Sequence, residues 1–280
     1  MAELPHGVII AATPLGNIED ASPRLARALE QAQVIASEDT RRTRTLAAAL
    51  GVEIRGSVVS NFDHNEDSRL PQLLDAARAG SVLVVTDAGM PIVSDPGLAL
   101  VDAAHEAGIP VSCIPGPSAV PTALALSGLG VGKFCFEGFA PRKQGARREW
   151  LESLAKEERA VCFFESPHRL ADTLAQAVEV LGAERRVAVC RELTKMHEEV
   201  RRGPLGEVSE WASADPVRGE ITVVLDGAKP QAADAEDLVP AVEERVAAGE
   251  RLKAACKAIA KEHGASTREL YEAVLAAREV

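Results

Sequence analysis

Two aspartates frame a loop of restrictive composition, TDAGMPIVSDPG from Thr86 to Gly97, directly after the apolar run SVLVVT. Its prolines fix the backbone and its glycines allow close approach to a ligand, so the segment reads as a preformed cradle carrying carboxylates. Two more loops of this kind, ATPLGN (Ala12–Asn17) and PGPSA (Pro115–Ala119), also follow strand-like runs. Each alone reads equally well as an ordinary tight turn. Three on one sheet edge point to a site, because ligands of parallel α/β sheets bind beyond the carboxyl ends of the strands. A nucleotide is the default ligand there, but GxGxxG after the first strand and GxxxxGK[ST] are both missing. Asp87 and Asp95 would repel a pyrophosphate. They suit a cation or a ligand with ribose hydroxyls and an amino group, which favours S-adenosylmethionine, a sulfonium with an α-amino group, over NAD or ATP.

Other stretches carry chemistry of a different kind. SEDTRRTRTL (Ser37–Leu46) sets Glu38 and Asp39 at a strand end and helix start, where carboxylates also suit the helix dipole. Arg41, Arg42 and Arg44 gain nothing from that dipole. GFAPRKQGARR adds Arg142, Lys143, Arg147 and Arg148. A charge run is usually a solvated face; in a chain of net charge −11, two compact basic clusters leave that reading open beside phosphate contact, which the family resemblance below favours. In FFESPHR, Ser166 reads as an N-cap and Pro167 as the first helical residue, and His168 is more often structural than catalytic at such a place. A base would add about 10²–10⁴-fold to a methyl transfer. Glu38, Asp39, His168 and Lys195 are the catalytic candidates, and the sequence does not choose among them.

The elements that must position these residues alternate. Strands are expected at Gly7–Ala12, Val34–Ser37, Ser57–Ser60, Ser81–Thr86 and Val111–Ile114. Helices are expected from Ser22-Pro23 through Gln33 and over Arg41–Leu50, Arg69–Ala79 and Leu98–Ala107. That spacing implies a largely parallel sheet covered on both faces. A second series, Lys133–Phe139, Ala160–Glu165, Arg186–Leu193 and Glu220–Gly227, with helices at Ala146–Ala155 and His168–Leu181, implies a mixed sheet. AKPQAADAED then reads as a linker, and everything from Leu238 onward as helix, with a capping box at Ser266–Glu269. Lys253, Lys257 and Lys261 form a basic stripe there, which fits a helix-turn-helix nucleic-acid face or a solvated bundle surface equally. The core must be aliphatic, since aromatic residues make up 3% of the chain. Five scattered cysteines without ligand spacing read as small buried hydrophobes in a reducing cytoplasm, with no metal. No apolar run is long enough to span a membrane.

Seven stretches in order, ATPLGNIED, SEDTRRTRTL, TDAGMPIVSDPG, IPGPSA, GFAPRKQGARR, FFESPHR and CRELTKMHEEV, closely resemble the motifs of the ribosomal-RNA branch of the tetrapyrrole methylase family. The resemblance reaches to about Gly227. It implies a fold of two α/β domains with a cofactor cleft between them, here 1–117 and 118–229; the small C-terminal helical segment, 236–280, is read from its residue pattern. It implies a homodimer that uses S-adenosylmethionine to methylate the 2′-hydroxyl of a decoding-centre cytidine in 16S rRNA; the few local basic contacts separately favour a shaped target, such as the 30S subunit, over a short oligonucleotide. Matched motif to motif, the cofactor contacts are Leu15, Asp87, Ala88, Gly89, Met90, Ser118, Ala119, Phe164, Leu193, Gly219 and Glu220. Where tetrapyrrole enzymes carry GxGPGD this chain has Ala12-Thr13-Pro14-Leu15-Gly16-Asn17, and their GDP becomes Asp87-Ala88-Gly89. Both departures disfavour a corrin or porphyrin substrate. Two other classes stay open: a methyltransferase acting on a tetrapyrrole or a modified protein side chain, and a nucleotide-binding module without catalysis.

Overall fold

The computed structural model describes residues 4–62, 66–130, 132–229 and 235–278. The chain divides into two compact units, Met1–Ala155 with Arg159–Asp226, and Lys156–Glu158 with Gly227–Val280. Both sheets belong to the first unit.

The first sheet comprises β1 (Gly7–Ala11), β2 (Val34–Ser37), β3 (Ser57–Ser60), β4 (Ser81–Val85) and β5 (Val111–Ile114), all parallel, in the order β3-β2-β4-β1-β5. β1 and β4 are buried at every position because both faces are covered. Ile9 and Ala11 pack with Leu25 and Leu29 of α1 (Pro23–Gln31) and Ala47 of α2 (Thr40–Ala49). Val8 and Ile10 point the other way, onto Leu73 of α3 (Glu66–Ala79) and Leu100 of α4 (Leu98–Glu106). Ser22 Oγ accepts the N–H of Leu25 at 3.1 Å and Pro23 opens α1, the expected start signal. The neighbours β1 and β4 therefore send their chains to opposite faces of the sheet, which leaves a crevice at their carboxyl ends.

The second sheet holds β6 (Phe134–Phe139), β7 (Ala160–Glu165), β8 (Arg186–Arg191), β9 (Glu199–Pro204) and β10 (Ile221–Leu225), in the order β6-β7-β10-β8-β9. It is mixed, as expected, with β6–β7 parallel and the other pairs antiparallel. One face packs Val161 and Phe163 against α6 (Gln144–Ser153), α7 (Leu170–Leu181) and α8 (Leu205–Ala214). The other packs Cys162, Ala188, Cys190 and Val224 against Val120 and Ala123 of α5 (Ala119–Ser127). α5, α8 and β9 are additions to the elements expected from the sequence.

Three expectations need correction. Ser166 does not cap a helix directly. Its Oγ accepts the N–H of His168 at 3.3 Å and its carbonyl accepts those of Arg169 and Leu170, so residues 166–169 form a turn and α7 begins at Leu170. Cys113 is exposed, since β5 is an edge strand with one open side. Cys162 and Cys190 do behave as buried hydrophobes: burial pushes their thiols up to about 12 and about 11, so neither supplies a thiolate. Arg147, the third, belongs with the site.

The second unit contains α9 (Val239–Ala247), α10 (Leu252–His263) and α11 (Thr267–Arg278), closed around Val242, Cys256, Ile259, Leu270 and Val274. Ser266 Oγ accepts the N–H of Glu269 at 3.3 Å, half of the expected capping box. Lys253, Lys257 and Lys261 are exposed on the side of α10 away from that core. Of the expected linker, residues 230–234 lie outside the described residues. Among the described residues, no helix is long and apolar enough to cross a membrane and no cluster of metal-ligating side chains occurs.

Candidate active site

A cavity of about 400 Å³ opens where the carboxyl ends of β1, β2 and β4 meet the second sheet. The loops that follow β1 and β4 are joined across the crevice. Thr13 and Gly89 exchange backbone hydrogen bonds at 2.9 and 3.1 Å, and Thr13 Oγ1 donates to the Thr86 carbonyl at 3.2 Å. Thr13, buried, thus does the locking that a glycine-rich turn does elsewhere. Gly89 takes φ +85°, where a side chain would be strained and would press on Leu15 at 3.1 Å.

The loop after β4 stores backbone strain. Ile92 and Ser94 have φ of 75° and 67°, and for a β-branched residue that is a conformation only its surroundings can enforce. Ile92 is pinned in the core beneath α4. Glu66 Oε1 accepts the N–H groups of Gly97 and Ala99 at 2.9 and 3.2 Å, capping α4 in place of the side chain that Gly97 lacks.

At the head of the loop, carboxylates cross-link two strand ends. Glu38 Oε2 accepts Thr86 Oγ1 at 2.6 Å and the N–H of Asp87 at 3.1 Å. Asp87 Oδ1 accepts the N–H of Asp39 at 3.1 Å, and its Oδ2 lies 3.3 Å from Arg42. Burial, and then the adjacent Glu38 carboxylate, push the Asp87 carboxyl above its usual value, although Arg42 and the Asp39 N–H pull the other way. Asp39 faces elsewhere, capping α2 through the Arg41 N–H and pairing with the Arg41 guanidinium. That hydrogen bonding to Arg41 holds its carboxyl down to about 2.

The opposite wall comes from the second sheet. Phe164 lies edge-on to Phe136 and Phe139, with centroids 5.0 and 5.4 Å away, and Phe139 is exposed at the rim. Glu165 is buried but saturated: Arg169 at 2.6 Å, the Ser166 N–H and Thr173 Oγ1 all bind it. At the far end, Glu192 Oε1 takes Lys195 at 2.8 Å and the N–H of Glu220 at 3.0 Å, and Lys195 also reaches Glu220 at 3.2 Å. The Lys195 ammonium, and then the Glu220 N–H, hold the Glu192 carboxyl below its usual range. Burial pulls Lys195 down, but its bonds to Glu192 and Glu220 outweigh this and leave it raised.

Ten of the eleven residues expected to contact a cofactor line this one cavity: Leu15, Asp87, Ala88, Gly89, Met90, Ser118, Ala119, Phe164, Gly219 and Glu220. Leu193 does not; it is buried behind the wall, packed with Leu15 and Phe164. Of the four catalytic candidates, Glu38 alone lines the cavity. Asp39 borders a neighbouring groove, Lys195 is tied to the Glu192–Glu220 rim, and His168 is exposed. Sequence reasoning missed Val93, Ser94, Phe139 and Glu165 of the lining, and also Thr86, Ser166, Pro167, Ile221 and Thr222, which share one feature. Their common signal is position: each sits just after a strand or in its first two residues.

The basic clusters divide. Arg41, Arg42 and Arg44 are exposed along α2, and Arg142, Lys143 and Arg148 are exposed around the start of α6. Arg147 corrects the expectation of a phosphate contact: it is 6% exposed and its Nε donates to Gln176 Oε1 at 2.8 Å, so it is a packing residue. Helical spacing with buried Leu151 turns it inward. Arg148 meets Glu152 and Glu179 in exposed pairs that cost little to exchange.

Of the twenty-two residues around the cavity, five are acidic and Arg42 alone is basic. Such a lining disfavours polyphosphates and favours a cationic ligand.

Comparison with known proteins fits this geometry. The family of tetrapyrrole (corrin/porphyrin) methylases matches residues 7–209. Ribosomal RNA small subunit methyltransferase I of Mycobacterium bovis is 58% identical over 273 residues, 97% of this chain and 95% of that protein. The Haemophilus influenzae protein of the same name is 38% identical over 282 residues, 99% of each chain. Among solved structures, uroporphyrin-III C-methyl transferase from Thermus thermophilus, complexed with S-adenyl homocysteine, shares the fold. Its TM-score is 0.55 at 20% identity, covering 79% of this chain and 97% of that one.

Proposed function

We propose, on the premise that this chain belongs to the tetrapyrrole (corrin/porphyrin) methylase family, that it methylates the 2′-hydroxyl of a decoding-centre cytidine in 16S rRNA. The coarser statement is firm: the chain is an S-adenosylmethionine-dependent methyltransferase whose relatives, at 58% and 38% identity, are named for small-subunit ribosomal RNA. The observation that carries the reading is the cavity itself, where Glu38 and Asp87 stand against the single guanidinium of Arg42 at the crevice of a parallel sheet. That polarity suits a sulfonium and an ammonium group. The exposed basic residues lie instead in outlying clusters on α2 and at the start of α6, whereas a tetrapyrrole rimmed with carboxylates would need a compact basic pocket.

The residues fit S-adenosylmethionine. Asp87 and the backbone of Ala88, Gly89 and Met90 would hold its methionine and ribose, with Ser118 and Ala119 beside them. Leu15 and Phe164 give apolar walls, Gly219 and Glu220 close the far end, and Leu193 supports them from behind. Bound there, the sulfonium supplies an electrophilic methyl group, and transfer leaves a neutral thioether and releases the hydroxyl proton. Holding the hydroxyl in line provides most of the rate. Glu38 is the residue we assign to receive the proton. It lines the cavity, and its bonds to Thr86 and Asp87 use Oε2.

Arg41, Arg42 and Arg44 on one side, and Arg142, Lys143 and Arg148 on the other, would meet RNA phosphates. The target is a shaped site in the 30S subunit, since local contacts on an acidic protein favour irregular, splayed RNA over a short oligonucleotide. We also propose that the enzyme works in the cytoplasm as a homodimer; light scattering at about twice the 29.6 kDa chain supports this, and a monomer at micromolar concentration refutes it. The function is tested by mass mapping of ribosomal RNA from cells lacking the protein. One ribose methyl missing from a cytidine of the small-subunit decoding centre is the expected result. An unchanged methylation map overturns it.

A further inference from the structure

We infer that Arg42 is a conditional phosphate contact, held on Asp87 while the cavity lacks its cationic ligand and released to the RNA when that ligand arrives. Cofactor binding and RNA binding would then reinforce each other. This rests on the function proposed above and adds to it a residue that couples the two substrates.

Arg42 is the one residue shared by two concavities: the acidic cavity and a groove of about 570 Å³ beside it. The groove runs between Pro14, Gly16 and Ile18 after β1 and Thr45 and Ala49 along α2. Arg41 also borders it and is 88% exposed, but two hydrogen bonds hold its guanidinium to Asp39, through Nε at 3.2 Å and a terminal nitrogen at 2.9 Å. Arg42 has a looser hold. It meets Asp87 Oδ2 at 3.3 Å with its side chain 65% exposed, whereas Asp87 is 22% exposed. An exposed pair of that kind is easily exchanged.

Asp87 already carries more acidic surroundings than one arginine neutralises, with Glu38 beside it and Asp39 close by. A ligand ammonium or sulfonium entering the cavity becomes the new counter-charge and repels the guanidinium. A long arginine side chain can turn from the rim to the groove without moving α2. A planar guanidinium freed there matches a phosphate bidentately. Thermodynamic linkage makes the effect mutual: whatever the cofactor adds to RNA affinity, RNA adds to cofactor affinity.

The test uses the full-length protein, small ribosomal subunits from cells lacking it, and sinefungin, an analogue that places an amine where the sulfonium stands. Wild type is expected to bind subunits at least fivefold more tightly with the analogue than without it. Arg42→Ala should bind subunits equally in both conditions, and should bind the analogue itself at least as tightly as wild type by calorimetry. Arg42→Lys should retain part of the coupling. Lys143→Ala should weaken subunit binding by the same factor in both conditions. Full coupling in Arg42→Ala, or none in wild type that binds the analogue, overturns the inference while leaving the proposed function standing. A wild-type protein that does not bind the analogue at all overturns both.

Discussion

Glu38 and Asp87 each hold the other's loop: the Glu38 carboxylate accepts the backbone N–H of Asp87 at 3.1 Å, and the Asp87 carboxylate accepts the backbone N–H of the residue after Glu38, also at 3.1 Å. Two acids that repel each other are thereby fixed side by side at the ends of adjacent strands β2 and β4. The fold tolerates this because each carboxylate takes a hydrogen bond that water would otherwise give. What remains is negative charge facing the cavity that Arg42 offsets only in part.

Asp87→Asn should therefore stabilise the ligand-free protein and damage binding. The native Asp87 carboxyl is raised, so its contribution to stability is full below the ordinary carboxylate pKa and is lost as pH rises through the native value. At pH 7 the charged group is a burden that asparagine lifts. Thermal unfolding should give the variant a higher Tm at pH 7, with the advantage gone by about pH 4. Calorimetry should show at least tenfold weaker S-adenosylmethionine binding, about 1.4 kcal/mol. A variant less stable than wild type at pH 7, or one with unchanged affinity, contradicts the assignment.

Glu38→Gln keeps an oxygen for Thr86 Oγ1 and the Asp87 N–H but removes the proton acceptor. Turnover should fall by about 10²–10⁴-fold with cofactor affinity within threefold of wild type. Single-turnover kinetics within threefold of wild type would remove Glu38 from the chemistry and leave it as a clamp for the loop.

Gly219 has φ +94°, and a Cβ there would come within 2.5 Å of the Glu192 side chain. Gly219→Ala should cost about 1–3 kcal/mol and loosen the Glu192–Lys195–Glu220 rim. Gly128→Ala is the comparison, since Gly128 has φ +58° and open space around it; it should cost about 1 kcal/mol and leave cofactor binding alone. Urea denaturation separates the two. Equal costs would mean that Glu192 yields freely.

Arg142, Lys143 and Arg148 changed together to Ala should leave folding and cofactor affinity intact and depress methylation of small subunits. The slope of log affinity against log salt should flatten by about 0.7–0.9 for each phosphate that the variant no longer neutralises. Arg147→Ala should do the reverse: lower stability by about 1–3 kcal/mol through the Gln176 Oε1 left without its donor, with little change in that slope. A salt slope unmoved by the triple variant would place the RNA elsewhere.

Much of this was legible in the residues. Val34–Ser37, Ser57–Ser60, Val111–Ile114 and Ala160–Glu165 are strands with the expected bounds, because short runs rich in β-branched or aromatic residues lie between loop signals. β9 was hidden because EVRRGP is an edge strand with one β-branched residue, Val200. α5 was hidden because AVPTALALS has a proline at its third position and apolar residues on most sides. α8 did carry a signal, with Leu205, Val208 and Ala212 buried at helical spacing. At the site, motif order identified the cavity walls, but no local pattern shows that Arg147 turns inward while Arg148 stays out. That distinction belongs to the packing of α6 on α7, which places Gln176 opposite Arg147.

The reaction itself is tested most directly by transfer of labelled methyl from S-adenosylmethionine, by the purified protein, to small ribosomal subunits from cells lacking it, followed by digestion to nucleosides. Close to one methyl per subunit, recovered as 2′-O-methylcytidine from the decoding centre, is the expected result. Label on a base, on another nucleoside, or none above background with intact subunits would contradict the assigned chemistry.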